Sequence, residues 1–132
     1  MDSTSVAVRF FGDDLDPVEL TQRLGVEPTV CHRKGDSMPN IAEQTNRTGG
    51  WLLAGERQSK SSLEAQISAL FDRLSGDLAV WRDLTSRYRA DLFCGLWSEA
   101  WNRGVSLSPE LVMRISERGL SIGFDVYFVE AQ

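Results

Sequence analysis

Four groups of residues in this chain have types and spacings that could do chemistry. Cys31-His32, with Cys94 far along the chain, supplies the side chains of a thiol–imidazole nucleophile or of a metal site. Zinc needs four ligands at workable spacing, and neither a CxxC nor an HxxxH pattern occurs. Two reduced, structural thiols and no metal are therefore the expectation. Arg33-Lys34-Gly35-Asp36, followed by Thr48-Gly49-Gly50, could cradle an anion with help from backbone N–H groups. The order G-x-x-x-x-G-K-[ST] is missing, as is G-x-G-x-x-G, so a solvated loop closed by a glycine turn accounts for the same residues. Asp13, Asp14 and Asp16 are carboxylates without a visible base or nucleophile, and turn and capping duty explains them. Trp97, Glu99 and Trp101 share one strand parity with Arg89, Asp91 and Phe93. Aromatics on a non-core face need cover, from a loop or from a partner.

Elements must hold these groups in place. Leu63, Ile67, Leu70, Phe71 and Leu74 recur at helical spacing behind a Ser61…Glu64 capping-box pattern. Ser108-Pro109 opens a second clear helix, with Leu111 and Ile115 inward and Gly119 as its stop. Leu120, Ile122, Phe124, Val126 and Phe128 then alternate with Ser121, Gly123, Asp125 and Tyr127, which is a strand. The N-terminal third has the same grammar. A strand over residues 4–11 is followed by Asp16-Pro17, a short helix, Gly25 and a short strand over 29–33. Gly49–Ala54 reads as a strand entered through two glycines, and Asp77 caps a short helix carrying Leu78, Trp81 and Leu84.

Over residues 87–97, Tyr88, Ala90, Leu92, Cys94 and Leu96 form a core face. Residues 102–107 are expected to be a further strand. The order is β-α-β-β-α-α-β-β-α-β, which points to an α+β domain: a mainly antiparallel sheet with helices on one face. LDPVELTQRLGV and LSPELVMRISERGL suggest duplicated β-α-β units. Residues 34–48 lack periodicity and read as a long loop, expected to roof part of the open sheet face.

Composition narrows the classes. The 132 residues suit one domain, with 42% hydrophobic and 25% charged residues. A net charge of −5 argues against a general nucleic-acid binder. MDSTS has neither a basic start nor an apolar run, so no secretory signal is expected. No apolar stretch has spanning length, and a cytoplasmic protein without membrane partners is the expectation. The one net-basic quarter, residues 31–60, carries five basic side chains against three acidic ones, and so places a local positive patch on the long loop.

GDDLDP at 12–17, RKGD at 33–36, TGGW at 48–51, LWSE at 96–99, LSPEL at 107–111 and IGFDVY at 122–127 occur in an order and spacing that resemble one bacterial family, catalogued as domain of unknown function 4279. The resemblance implies a small α+β bacterial protein and no particular reaction.

The reading that joins these observations is a non-catalytic binding or protein-interaction module without a cofactor. Its partner could be another protein, a toxin to be neutralised being one example. The candidate partner-binding residues are Arg33, Lys34, Asp36, Trp51, Trp97, Glu99 and Trp101. The open sheet face would serve as the binding surface, or as a homodimer interface if the protein is not a monomer. The alternative is an enzyme or sensor for a small anionic ligand, held by Arg33, Lys34 and the TGGW turn.

Overall fold

The computed structural model describes residues 2–37, 45–59 and 61–130. These residues form five strands and four helices. In chain order they are β1 (Ser3–Gly12), α1 (Pro17–Leu24), β2 (Val30–His32), β3 (Gly49–Ala54), α2 (Leu63–Asp72), α3 (Leu78–Arg87), β4 (Arg89–Ser98), α4 (Pro109–Glu117) and β5 (Ser121–Phe128).

Local signals place the helices. Asp16 accepts the Val18 N–H, Pro17 opens α1, and Gly25 closes it in the left-handed region at φ 80°. Asp77 caps α3 and Ser108 caps α4. For α2 the cap is Ser62, one residue later than the capping-box pattern implies. Glu64 consequently does not reach back to its own helix start. It accepts the Ser108 N–H instead and ties α2 to the entry of α4.

The strands lie side by side in the order β2-β3-β1-β4-β5. All neighbours are antiparallel except β4 and β5. Phe10 lies opposite Trp51 and Val8 opposite Leu53, so these side chains share one face. That face, with Leu92, Cys94 and Leu96 of β4, is buried beneath residues from all four helices. Its centre is aromatic: Phe10 meets Trp51 edge-on at 6.0 Å, Trp81 lies 6.0 Å from Phe10, and Phe71 meets Trp81 edge-on at 6.2 Å. The indole N–H of Trp51 donates to Thr21 Oγ1, and that of Trp81 to the Ser75 carbonyl, so neither ring buries an unmet donor. The fold is α+β with helices on one face, as the order of elements predicts.

Residues 102–107 are not a strand. β4 is flanked by β1 and β5, so it has no free edge for a further strand to pair with. The segment is part of the crossover that a parallel β4–β5 pair requires. The two β-α-β units are not equivalent either. β4 and β5 are direct neighbours, whereas β3 lies between β1 and β2.

Candidate functional site

β1 separates the candidate residues into two ends. Phe11 of β1 lies opposite Gly50 and Arg89, and Ser3 lies opposite Trp97. The eight residue-to-residue steps from Ser3 to Phe11 span roughly 26 Å at about 3.3 Å each.

The first end is charged. Asp16 Oδ1, already capping α1, accepts Arg33 Nη2 at 2.7 Å. Lys34 Nζ lies 3.3 Å from Asp13 Oδ2. Hydrogen bonding from Thr48 and then from Lys34 holds the Asp13 carboxyl below the usual range. Asp36 Oδ2 accepts the Arg33 N–H at 2.7 Å and fixes the turn, while Ser37 bridges to Thr45 at the neck of the long loop. Arg33 and Lys34 are thus committed to carboxylates of the β1–α1 turn. The two glycines of the TGGW turn are explained by close passage. A Cβ on Gly49 would meet the Gly12 carbonyl oxygen at 2.7 Å, and one on Gly50 would meet the His32 ring at 2.7 Å. Residues 38–44 of the long loop lie outside the described residues, so its role as a roof does too. Its described flanks sit at the charged end.

The middle of the helix-free face is self-satisfied. Arg9 binds Asp91 through Nε–Oδ1 at 2.8 Å and Nη2–Oδ2 at 2.6 Å. Its guanidinium lies 4.2 Å from the Phe93 ring centre and 5.4 Å from that of Phe11. The hydrogen bond to Asp91 pushes its pKa up.

The second end is aromatic. Trp97 lies over Gly95, where an added Cβ would fall 2.8 Å from the indole. The ring stacks on Tyr127 at 5.1 Å and 17°, and Arg57 sits 4.0 Å above it. Tyr127 donates its hydroxyl to Asp125 at 2.6 Å, which raises the tyrosine pKa. Trp97, Glu99 and Trp101 do not share a face, contrary to the alternation of the sequence. β4 ends at Ser98, whose hydroxyl donates to the Ala100 carbonyl and turns the chain. Glu99 is exposed, with its N–H on Asp2. Trp101 crosses to the helix side and packs on Phe128 at 5.0 Å, yet remains 93% exposed. Trp51 is a second correction: it is 0% exposed at the centre of the core and offers no surface. A third concerns Arg33 and Lys34, which do not join Trp97 and Trp101 in one surface because the length of β1 intervenes.

Sequence reasoning missed the outer face of β5. Phe124, Val126 and Phe128 have core parity, since they lie beside Cys94, Leu96 and Ser98. They are nonetheless 45%, 62% and 55% exposed, because α4 covers only the start of the strand, through Leu111 and Ile115. The backbone is open as well. Val129 N–H donates to the Ser98 carbonyl, which sets the phase of the parallel ladder. Ile122, Phe124, Val126 and Phe128 therefore turn their N–H and C=O groups away from β4, and no described strand pairs with them. One signal was present in the sequence. SIGFDVYF has neither Lys nor Pro and carries a single charge, Asp125, so it lacks the usual protections of an edge strand.

Cys31 and Cys94 are both free, the first exposed and the second buried. Burial pushes the Cys94 thiol up to about 12, far from a reactive thiolate. Among the described residues, no group of three or more His, Cys, Asp or Glu side chains is arranged to hold a metal ion, and no helix is long and apolar enough to cross a membrane.

Residues 2–129 match the family model described as domain of unknown function (DUF4279). The chain belongs to that family. The matched span takes in all nine elements of the sheet and its helices, including β5. No curated protein and no solved structure matches the chain.

Proposed function

We propose that this protein is a non-catalytic protein-interaction module whose binding surface is the outer edge of β5 together with Trp101. One observation carries the reading. Among the described residues, an eight-residue edge strand has no strand paired with its outward backbone groups, and it lays Phe124, Val126 and Phe128 bare beside a 93% exposed tryptophan. Aromatic and apolar side chains clustered on a surface are the usual anchors of an interface. A free edge adds main-chain hydrogen bonds for an extended partner segment. The alternative, a small anionic ligand on Arg33 and Lys34, has less support because both cations already hold carboxylates.

A displayed library of random extended peptides, selected on the parent protein, tests the reading. Enriched peptides should bind a Trp101→Ser, Phe128→Ser double variant at least about tenfold more weakly, the loss typical of removing anchor residues. Peptides that bind both proteins equally would overturn it.

A further inference from the structure

We propose that the occupant of the β5 edge is a second copy of this chain, paired antiparallel across a two-fold axis that passes through Val126. The inference rests on the reading of β5 as the binding surface and names its partner.

Symmetry restricts the pairing. A two-fold axis perpendicular to the sheet relates two antiparallel edges and keeps both sets of helices on the same side. Directly opposed residues must then have the same parity. Ile122, Phe124, Val126 and Phe128 all turn their backbone groups outward, so every such register forms hydrogen-bonded pairs among them. Side-chain chemistry selects among the registers. Centring on Asp125 would set two carboxylates directly opposite each other, which is unfavourable. Centring on Val126 places each Asp125 opposite the other copy's Tyr127, a hydroxyl donor already engaged with a carboxylate in its own strand. The same register sets Phe124 opposite Phe128. Trp101 packs on Phe128 within one copy, so the other copy's Phe124 arrives beside that indole. The three apolar side chains of each strand and the two tryptophans then cover one another. The edge is thus self-complementary in backbone, charge and shape. Its single charge is not set opposite its own copy, and the strand itself carries no lysine to oppose the approach.

Sedimentation equilibrium over a concentration series, paired with amide hydrogen exchange, tests the proposal. Val126→Lys is the decisive variant because Val126 is 62% exposed and the change leaves the core untouched. The parent should show twice the chain mass. The amides of Phe124, Val126 and Phe128 should gain protection as concentration rises. Val126→Lys places two like charges at the axis and should weaken association at least about tenfold. A parent that stays monomeric up to several hundred micromolar, by order of magnitude in the range of weak self-association, overturns the second copy as occupant. It leaves the interaction surface to be judged by the peptide selection. A dimer that Val126→Lys does not weaken, or one in which the β5 amides exchange freely, also overturns the proposal.

Discussion

The two β-α-β units share local grammar and differ in what surrounds them. In both, an N-cap residue precedes a proline at the helix start, and a glycine at positive φ follows the helix. In the first unit β3 enters between β1 and β2, so Trp51 seals the core beneath α1. The sheet then ends in a strand of three residues, Val30–His32. In the second unit nothing enters between β4 and β5, and the sheet ends in a strand of eight residues whose apolar side chains outrun the cover that α4 provides. Similar capping signals precede a three-residue edge strand in one case and an eight-residue one with a bare apolar row in the other. The difference lies in which strand fills the neighbouring position, and a helix cap carries no information about that.

The largest expected effect tests the sealed unit. Trp51→Ala removes a fully buried ring from between Phe10 and α1 and should cost about 3–5 kcal/mol, read from chemical unfolding. A loss below about 1 kcal/mol would place Trp51 outside the core and remove the contrast.

Next come the two helix-stop glycines, which sharpen the comparison. Gly25 and Gly119 sit at φ 80° and 76°. Open space surrounds a Cβ at Gly25, so Gly25→Ala should cost only the left-handed backbone, about 1–2 kcal/mol. At Gly119 a Cβ would fall 2.5 Å from Thr85 Oγ1, a hydroxyl that donates to the Trp81 carbonyl. Gly119→Ala should therefore be the more destabilising of the two by thermal melt. The reverse order would show that α4 and α3 part easily.

A smaller effect comes from acid. Glu19 is held below the usual carboxylate range by Arg87, and Asp83 by Arg23, which together join α1 to α3. Carboxyls with depressed folded pKa values stabilise above their unfolded pKa, and that contribution is lost as pH falls through the folded values. The melting temperature should be flat from about pH 7 to 5 and fall below about pH 4, where the unfolded chain takes up protons first. Arg87→Ala returns the Glu19 pKa toward its unfolded value, so it should lower stability at pH 7 while flattening the acid limb. An unchanged limb would mean that this network does not report on α1.

The smallest expected change belongs to the bare unit. Trp101→Ala should alter stability by no more than about 0.5 kcal/mol, because the ring is 93% exposed. A loss as large as that of Trp51→Ala would make Trp101 part of the core and withdraw it from the proposed surface.

Periodicity and most caps were legible residue by residue, the α2 cap at Ser62 being one residue off. Asp16-Pro17 with Gly25, Ser108-Pro109 with Gly119, and the alternation of Leu92, Cys94 and Leu96 each appear in the fold where the sequence places them. These signals are local: a side chain caps a helix two or three residues away, and alternation follows from the pleat. The candidate surface was legible only in part. Trp97 does lie on the helix-free face, stacked on Tyr127. Alternation could not show that β4 stops at Ser98, and so it carried Glu99 and Trp101 onto the wrong face.

By itself, the sequence determined where α1 and α4 start and stop, which residues within a strand share a side, and that the closing strand has a single charge. Tertiary structure alone decided that Trp51 is core, that Arg33 and Lys34 stand a strand's length from Trp97, and that Phe124, Val126 and Phe128 are bare. The reason is physical. A side chain's parity within its strand is fixed by the backbone, but its burial depends on what packs above it, and at the edge beyond β4 helix α4 covers only the first residues of β5.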